Sequence, residues 1–297
     1  MVAKAGIGAV LAGLDPARPV LVAGPTAAGK SALALAIARA QGGVVVNADA
    51  LQVWECWQVL TARPSAADEA AAPHALYGHV PRGAGYSVGD WLADVAPLLA
   101  GGSRPIIAGG TGLYLTALTE GLAVIPPVPP EMREEGEALL AAEGLAAMVA
   151  RLDGRTRAGL DLRNPARVMR AWEVLRATGR GLAEWQAETG PPLLPPARAQ
   201  KLVLVPDRDA LAARIAARFD TMLAEGALEE VRANAPFWQP RAQWARAIGA
   251  RELMTYLAGR MTWDEAREAA IIATRQYAKT QRSWFRNRMK DWQQVAV

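Results

Sequence analysis

The stretch from Pro19 to Ala40 constrains this chain more than any other. Val20-Leu21-Val22-Ala23 is an apolar run of strand length, and Ala32 to Arg39 is rich in alanine and leucine, the composition of a helix. Between them stands Gly24-Pro25-Thr26-Ala27-Ala28-Gly29-Lys30-Ser31. A G-x-x-x-x-G-K-[ST] loop placed between strand and helix is a phosphate cup. Its glycines let the backbone curl until the N–H groups of residues 25–31 converge, and the helix adds its positive end. Lys30 contributes a mobile charge, and the Ser31 hydroxyl is placed to ligate a magnesium ion held by the same phosphate oxygens. The pattern specifies a phosphate or diphosphate and leaves open which molecule carries it.

Such a unit predicts an α/β core with a parallel sheet flanked by helices. Val44-Val45-Val46 reads as a second buried strand ending at Asn47-Ala48-Asp49-Ala50. Ligands gather at the carboxyl ends of parallel strands, so Asp49 is expected beside the phosphate loop, although a turn or N-cap aspartate fits its position equally well. Ser87 and Asp90 form a capping-box pattern for a helix running to about Leu99. Arg104 to Ala108 is a third strand, delivering Gly109-Gly110-Thr111-Gly112, where backbone can approach a ligand closely. This strand does not end in the aspartate that many P-loop nucleotidases use for magnesium, which weakens an ordinary ATPase reading. Lys201 to Val205 returns to the core, and a helix over Asp209–Met222 carries Arg214 and Arg218 on one face, either solvated or an anion clamp.

Proline punctuates the chain at 126–130 and again at 191–196. The interval contains two helical stretches, Glu131–Leu152 and Ala166–Ala177, and no convincing strand. The expected organisation is a weakly patterned, mobile lead over 1–18, a core made of 19–125 and 200–297, and an inserted all-helical lobe over 126–199.

The net charge is only +4 over 297 residues, yet six Lys or Arg and no acid lie between Arg275 and Lys290. On a helix, Arg275, Lys279, Arg282 and Arg286 share one face, with Tyr277 and Trp284 on a neighbouring one. The face is either a solvated stripe or a polyanion site, and the lack of acidic partners favours nucleic acid. The single cysteine, Cys56, excludes an internal disulfide and suits a packed thiol in a reducing compartment. His74 and His79 lack ligand-spaced companions and read as packing or surface residues. Neither a signal peptide nor a long uncharged apolar segment is visible, so a soluble cytoplasmic protein without membrane contact is expected.

Taken together, several segments resemble the tRNA dimethylallyltransferase family. They are GPTAAGKS at 24–31, NADALQV at 47–53, TARP at 61–64, YSVGDW at 86–91, PIIAGGTGLY at 105–114, NPARVMRAWEVLRATG at 164–179, DRDALAARIAARFDTML at 207–223, AIGARE at 247–252 and TRQYAKTQRSWFR at 274–286. The resemblance implies a P-loop core, magnesium, dimethylallyl diphosphate as donor and the anticodon arm of tRNA as acceptor, handled by a monomer. It assigns Asp49 as the base near the adenine amine, Thr26 and Ser31 to the phosphate site, and Arg218 to the diphosphate. It also implies tRNA contacts at Asp49, Ala50, Leu51, Gln52, Thr111, Arg133, Arg167, Arg170, Arg246, Gly249, Arg251, Lys279, Arg282 and Arg286. Departures are Ala28 and Ala50 where the family commonly has serine, Ala250 where it has an aromatic, and Arg63 in TARP where TAKP is common.

The chemistry expected is prenyl transfer to N6 of the adenosine next to the anticodon, with loop amides, Lys30, Arg218 and magnesium stabilising the departing diphosphate. Asp49 takes the proton. The rival readings are an ATP-dependent phosphotransferase or nucleotidase and a nucleic-acid-binding module with a vestigial loop.

Overall fold

The computed structural model describes residues 4–297. In chain order the elements are α1 (Lys4–Ala12), β1 (Val20–Ala23), α2 (Lys30–Gln41), β2 (Val44–Asn47), α3 (Ala66–Ala71), β3 (His74–Ala75), α4 (Val88–Ala100), β4 (Pro105–Gly109) and α5 (Gly112–Glu120). Then come α6 (Pro130–Ala150), α7 (Gly154–Gly159), α8 (Pro165–Thr178) and α9 (Leu182–Ala187). The chain finishes with β5 (Gln200–Val205), α10 (Arg208–Ala224), α11 (Ala227–Asn234), α12 (Ala250–Leu257), α13 (Trp263–Arg288) and β6 (Gln293–Ala296).

Contacts divide the chain into two compact units, one of residues 1–119 and 193–297, the other of residues 120–192. Both boundaries fall several residues before those suggested by the proline clusters. The smaller unit is helical throughout its regular structure. Met148, Val168, Met169, Trp172 and Val174 form its core, and α6 is broken at Gly144, whose backbone is non-helical.

The larger unit is built on a six-stranded parallel sheet in the order β3-β2-β4-β1-β5-β6. All four residues of β1 are buried, as a strand covered on both faces requires. Val20 and Val22 pack with Leu33 and Ile37 of α2, while Leu21 and Ala23 face Trp91, Leu115 and Phe285. Ser87 and Asp90 form the expected reciprocal cap on α4, worth about 1 kcal/mol. A further cluster around Trp57, Trp244, Phe219 and Ile271 joins α10–α13 to the loop after β2.

Two expectations need correction. Residues 1–3 lie outside the described residues, but from Lys4 the lead is a helix, with Val10 and Leu14 buried against α2 and the Leu11 carbonyl accepting from Gln41 Nε2 at 2.9 Å. The chain also closes on an unforeseen edge strand, β6, in which only Val295 is buried. Among the described residues no helix is long and apolar enough to cross a membrane.

Candidate functional site

Three loops leave the carboxyl edge of the sheet side by side, after β2, β4 and β1. Neighbouring strands lie about 4.8 Å apart, so loops two strands apart face each other across roughly 10 Å, provided the strand between them leaves the space open. Here it does. A Cβ on Gly109 would fall 1.9 Å from the Ala48 carbonyl oxygen, and one on Gly110 would lie 2.4 Å from Gln281 Nε2 and 3.1 Å from Asp49 Oδ2. Residues without side chains are therefore required at the end of β4, and Asp49 and the phosphate loop share one cavity.

That cavity has a volume of about 300 Å³. Thr26, Gly29, Lys30, Ser31, Asp49 and Arg218 line its polar part, and Leu60, Ile215, Phe219, Met222 and Ile248 its apolar wall. The wall was not foreseen: its members come from a loop, α10 and the turn before α12, so no single periodic stretch reveals it. Glu230 of α11 holds the loop in place, its carboxylate accepting from the amides of Gln58, Val59 and Leu60.

The phosphate loop differs from the simple expectation in one respect. Not all amides of residues 25–31 point into the cup: Pro25 has none, the Thr26 N–H donates to Gln281 Oε1 at 2.8 Å, and the Ala28 N–H donates to the Pro25 carbonyl at 3.2 Å. The amides of Ala27, Gly29, Lys30 and Ser31 keep no protein acceptor among the described residues. Gly29, at φ 95°, supplies the left-handed turn into α2. Gly24, Pro25 and Ala28 are buried beneath the loop.

Lys30 Nζ donates to the Pro25 carbonyl at 2.8 Å. Burial pushes its pKa down to about 8, with Asp49 acting against that shift and Arg218 adding to it. Burial also lowers the Arg218 pKa, again opposed by Asp49. Neither cation forms a salt bridge among the described residues. Two desolvated cations thus face one carboxylate, leaving the cup with surplus positive charge for an anion. Arg214 does not join them, since its guanidinium reaches the Val297 carbonyl at 3.4 Å. Of the pair, Arg218 lines the cavity and Arg214 does not.

Asp49 is held by Asn47, which is fully buried. Asn47 Oδ1 accepts the Asp49 N–H at 2.8 Å, and Nδ2 donates to the carbonyls of Asp49 and Leu76, each at 3.0 Å. Trp91 Nε1 donates to the Asn47 carbonyl at 2.8 Å. Tyr77, Tyr114 and Tyr277 all have hydroxyls pushed upward, first by burial and then by the Asp49 charge, so each stays protonated.

Of the positions implied to meet RNA, Leu51 and Gln52 line the cavity. The Ala50 N–H donates to Thr111 Oγ1 at 2.9 Å, and Gln52 Nε2 is engaged by the Thr61 and Ala62 carbonyls. Arg246 and Arg251 are exposed, whereas Gly249 is buried, its missing Cβ 3.0 Å from Phe219. Arg275, Lys279, Arg282 and Arg286 are exposed on α13 and make no ion pair among the described residues. In the smaller unit, Arg133 and Arg170 approach the buried Glu173 at 3.5 and 3.9 Å, and Arg167 approaches Asp161 at 3.9 Å. Ala28 and Ala250 are wholly buried. Arg63 lies across Gly78, and burial pushes the Cys56 thiol up to about 11, consistent with an inert thiol.

A parallel sheet, a P-loop at its central strand and a cavity cationic on one side and apolar on the other define a P-loop α/β protein. The IPP transferase family model matches residues 52–288. The chain belongs to that family. It is 64% identical over 294 residues to the tRNA dimethylallyltransferase of Paracoccus denitrificans, covering 97% of each chain. It is 60% identical to that of Dinoroseobacter shibae, covering 96% of this chain and 97% of the relative. Among solved structures, the tRNA isopentenylpyrophosphate transferase of Bacillus halodurans matches with a TM-score of 0.67 at 29% identity, over 94% of this chain and 90% of that one. A eukaryotic dimethylallyltransferase acting on tRNA shares the fold, with a TM-score of 0.77 at 23% identity over 94% of this chain and 73% of that one.

Proposed function

We propose that this protein is a prenyltransferase that moves a dimethylallyl group from dimethylallyl diphosphate to N6 of the adenosine beside the anticodon of tRNA. The observation that carries the reading is the cavity itself, where Lys30 and Arg218, neither in a salt bridge among the described residues, share one lining with the phosphate loop, Asp49 and an apolar wall. A diphosphate with a short hydrocarbon tail satisfies both halves. The 64% identity to a tRNA dimethylallyltransferase supports the same substrates.

In the reaction the C1–O bond of the donor breaks with its electron pair leaving on the diphosphate, while N6 of adenine forms the new bond to C1. Charge grows on the leaving oxygens, which Lys30, Arg218 and the free amides stabilise in this reading. Thr26 lines the same cavity. N6 is a poor nucleophile until it loses a proton, and Asp49 accepts it. The adenine leaves its stack to enter the cavity, as any base modified at a buried site must.

Magnesium fits the oxygen donors present. The Ser31 hydroxyl has no protein partner among the described residues, and Ser31 and Asp49 line one cavity. A magnesium ion held mainly by phosphate oxygens keeps several waters and needs few protein ligands. When bound beside Ser31, it would neutralise diphosphate charge.

The test is mass spectrometry of tRNA incubated with the protein, dimethylallyl diphosphate and magnesium, with ATP in a parallel reaction. One nucleoside heavier by a dimethylallyl group is expected, and Asp49→Ala should bind tRNA yet lose most turnover. Phosphoryl transfer from ATP with no prenylated nucleoside would overturn the reading.

A further inference from the structure

Among the buried polar side chains that the reaction as described does not use, Gln281 is bonded to both the phosphate loop and the loop after β4. Gln281, on the inner face of α13, is 5% exposed. Its carboxamide is engaged by two loops: Oε1 accepts the Thr26 N–H at 2.8 Å, and Nε2 donates to the Gly110 carbonyl at 2.9 Å. Thr26 follows β1 and Gly110 follows β4. The contacts continue to the loop after β2, because Thr111 Oγ1 accepts the Ala50 N–H at 2.9 Å and the Thr111 N–H donates to the Ala48 carbonyl at 3.2 Å. Gly110 is wedged between the Gln281 amide and the Asp49 carboxylate, at the 2.4 and 3.1 Å noted above for its missing Cβ. One side chain from a remote helix therefore ties together the loops that carry Thr26 and Asp49.

We propose that Gln281 is a positioning residue for the transfer, fixing the distance across β4 between the phosphate loop and the proton acceptor. The inference rests on the prenyl-transfer reading. Gln281 also takes the Thr26 N–H out of the phosphate-binding set, so Thr26 presents its side chain, not its amide, to the cavity. Holding a buried glutamine in one rotamer costs side-chain entropy, offset here by satisfying both ends of the amide in a region closed to water. The effect belongs on the chemical step, because misplacing reacting groups by about 1 Å can cost about 100-fold in rate. Binding depends instead on Lys30, Arg218 and the outer arginines, which Gln281 leaves in place.

The experiment uses the full chain with Gln281→Met, which keeps length and burial, and Gln281→Glu, which keeps the acceptor for Thr26 but loses the donor to Gly110. Rates are normalised to the folded fraction from thermal melts. The expected result is a kcat lowered about 10- to 100-fold in Gln281→Met, a smaller loss in Gln281→Glu, and KM for both substrates within about threefold of the parent. A Gln281→Met kcat within about twofold of the parent overturns the proposal, as does a loss confined to KM. Amide hydrogen exchange separates this inference from the reading beneath it. The Thr26 N–H should be protected in the free parent and lose protection in Gln281→Met at unchanged global stability. A parent that transfers no prenyl group refutes the prenyl-transfer reading, while unchanged Thr26 protection in Gln281→Met refutes the tie by itself.

Discussion

Cations are used differently in the two units. In the smaller one, Arg133 and Arg170 lean on Glu173, Arg176 approaches Glu135 at 3.1 Å, and Arg180 pairs with Glu184 and Glu188. In the larger one, Lys30 and Arg218 are buried around a cavity without salt bridges, and four cations of α13 stand exposed without partners among the described residues. A paired surface arginine contributes little and must give up its carboxylate before it serves a phosphate. An unpaired one carries no such cost. Basic residues occur at similar density in the two units; what sets the larger one apart is that Lys30 and Arg218 face its cavity without a salt bridge among the described residues.

The comparison breaks most easily at the cup. Lys30→Met or Arg218→Gln should lower kcat by about 10²- to 10³-fold, the usual loss when one donor to a developing anion is removed, with tRNA affinity within about threefold. A fall in turnover of less than threefold would make these cations structural. Next, Arg282→Gln with Arg286→Gln should weaken tRNA binding about tenfold near 0.1 M salt and flatten the log–log salt slope by about 1.5. An unaltered slope would return α13 to a solvated stripe.

A third effect is smaller and depends on pH. Burial holds the Lys30 pKa down at about 8, below its ordinary 10.5. Diphosphate favours the charged form, so above pH 8 each binding event takes up a proton and affinity falls as pH rises, about fivefold from pH 8 to pH 9. Calorimetry of inorganic diphosphate binding across that range checks the sign, and a flat profile in the parent would contradict it. Smallest for binding is Arg133→Gln with Arg170→Gln. Affinity should stay within about threefold, but urea unfolding should show a loss of about 1–3 kcal/mol, since Glu173 remains buried without its cations. A tenfold affinity loss here would mean that RNA takes these arginines from their carboxylate, and the contrast between the units would fail.

Much of this site was legible in the residues. The strand, loop and helix from Val20 to Arg39 could be read because every position has a local reason, whereas for Asp49 position alone left a place beside the loop and a turn role equally open, and the structure shows both: it lines the cavity and accepts the Leu51 N–H at 3.0 Å. Gln281 was invisible for the opposite reason. It sits in a run of arginines and lysines, and nothing nearby says that it turns inward to meet Thr26 and Gly110, 255 and 171 residues away. Glu230 and the wall of Leu60, Phe219 and Ile248 escaped similarly. The strand β6 was missed because an edge strand with one buried side chain has no alternation to detect.

By itself the amino-acid order determined the phosphate loop, the capping of α4, the helical character of the region between the proline clusters and the basic face of α13, all of which depend on neighbours within a few residues. Only the tertiary structure decided that Arg218 joins the cavity while Arg214 leaves it, that Thr26 gives its amide to Gln281, and that glycines ending β4 let Asp49 face the loop. Those outcomes depend on which distant segments the sheet order brings together, and pairings across long stretches of chain leave no periodic trace in either partner.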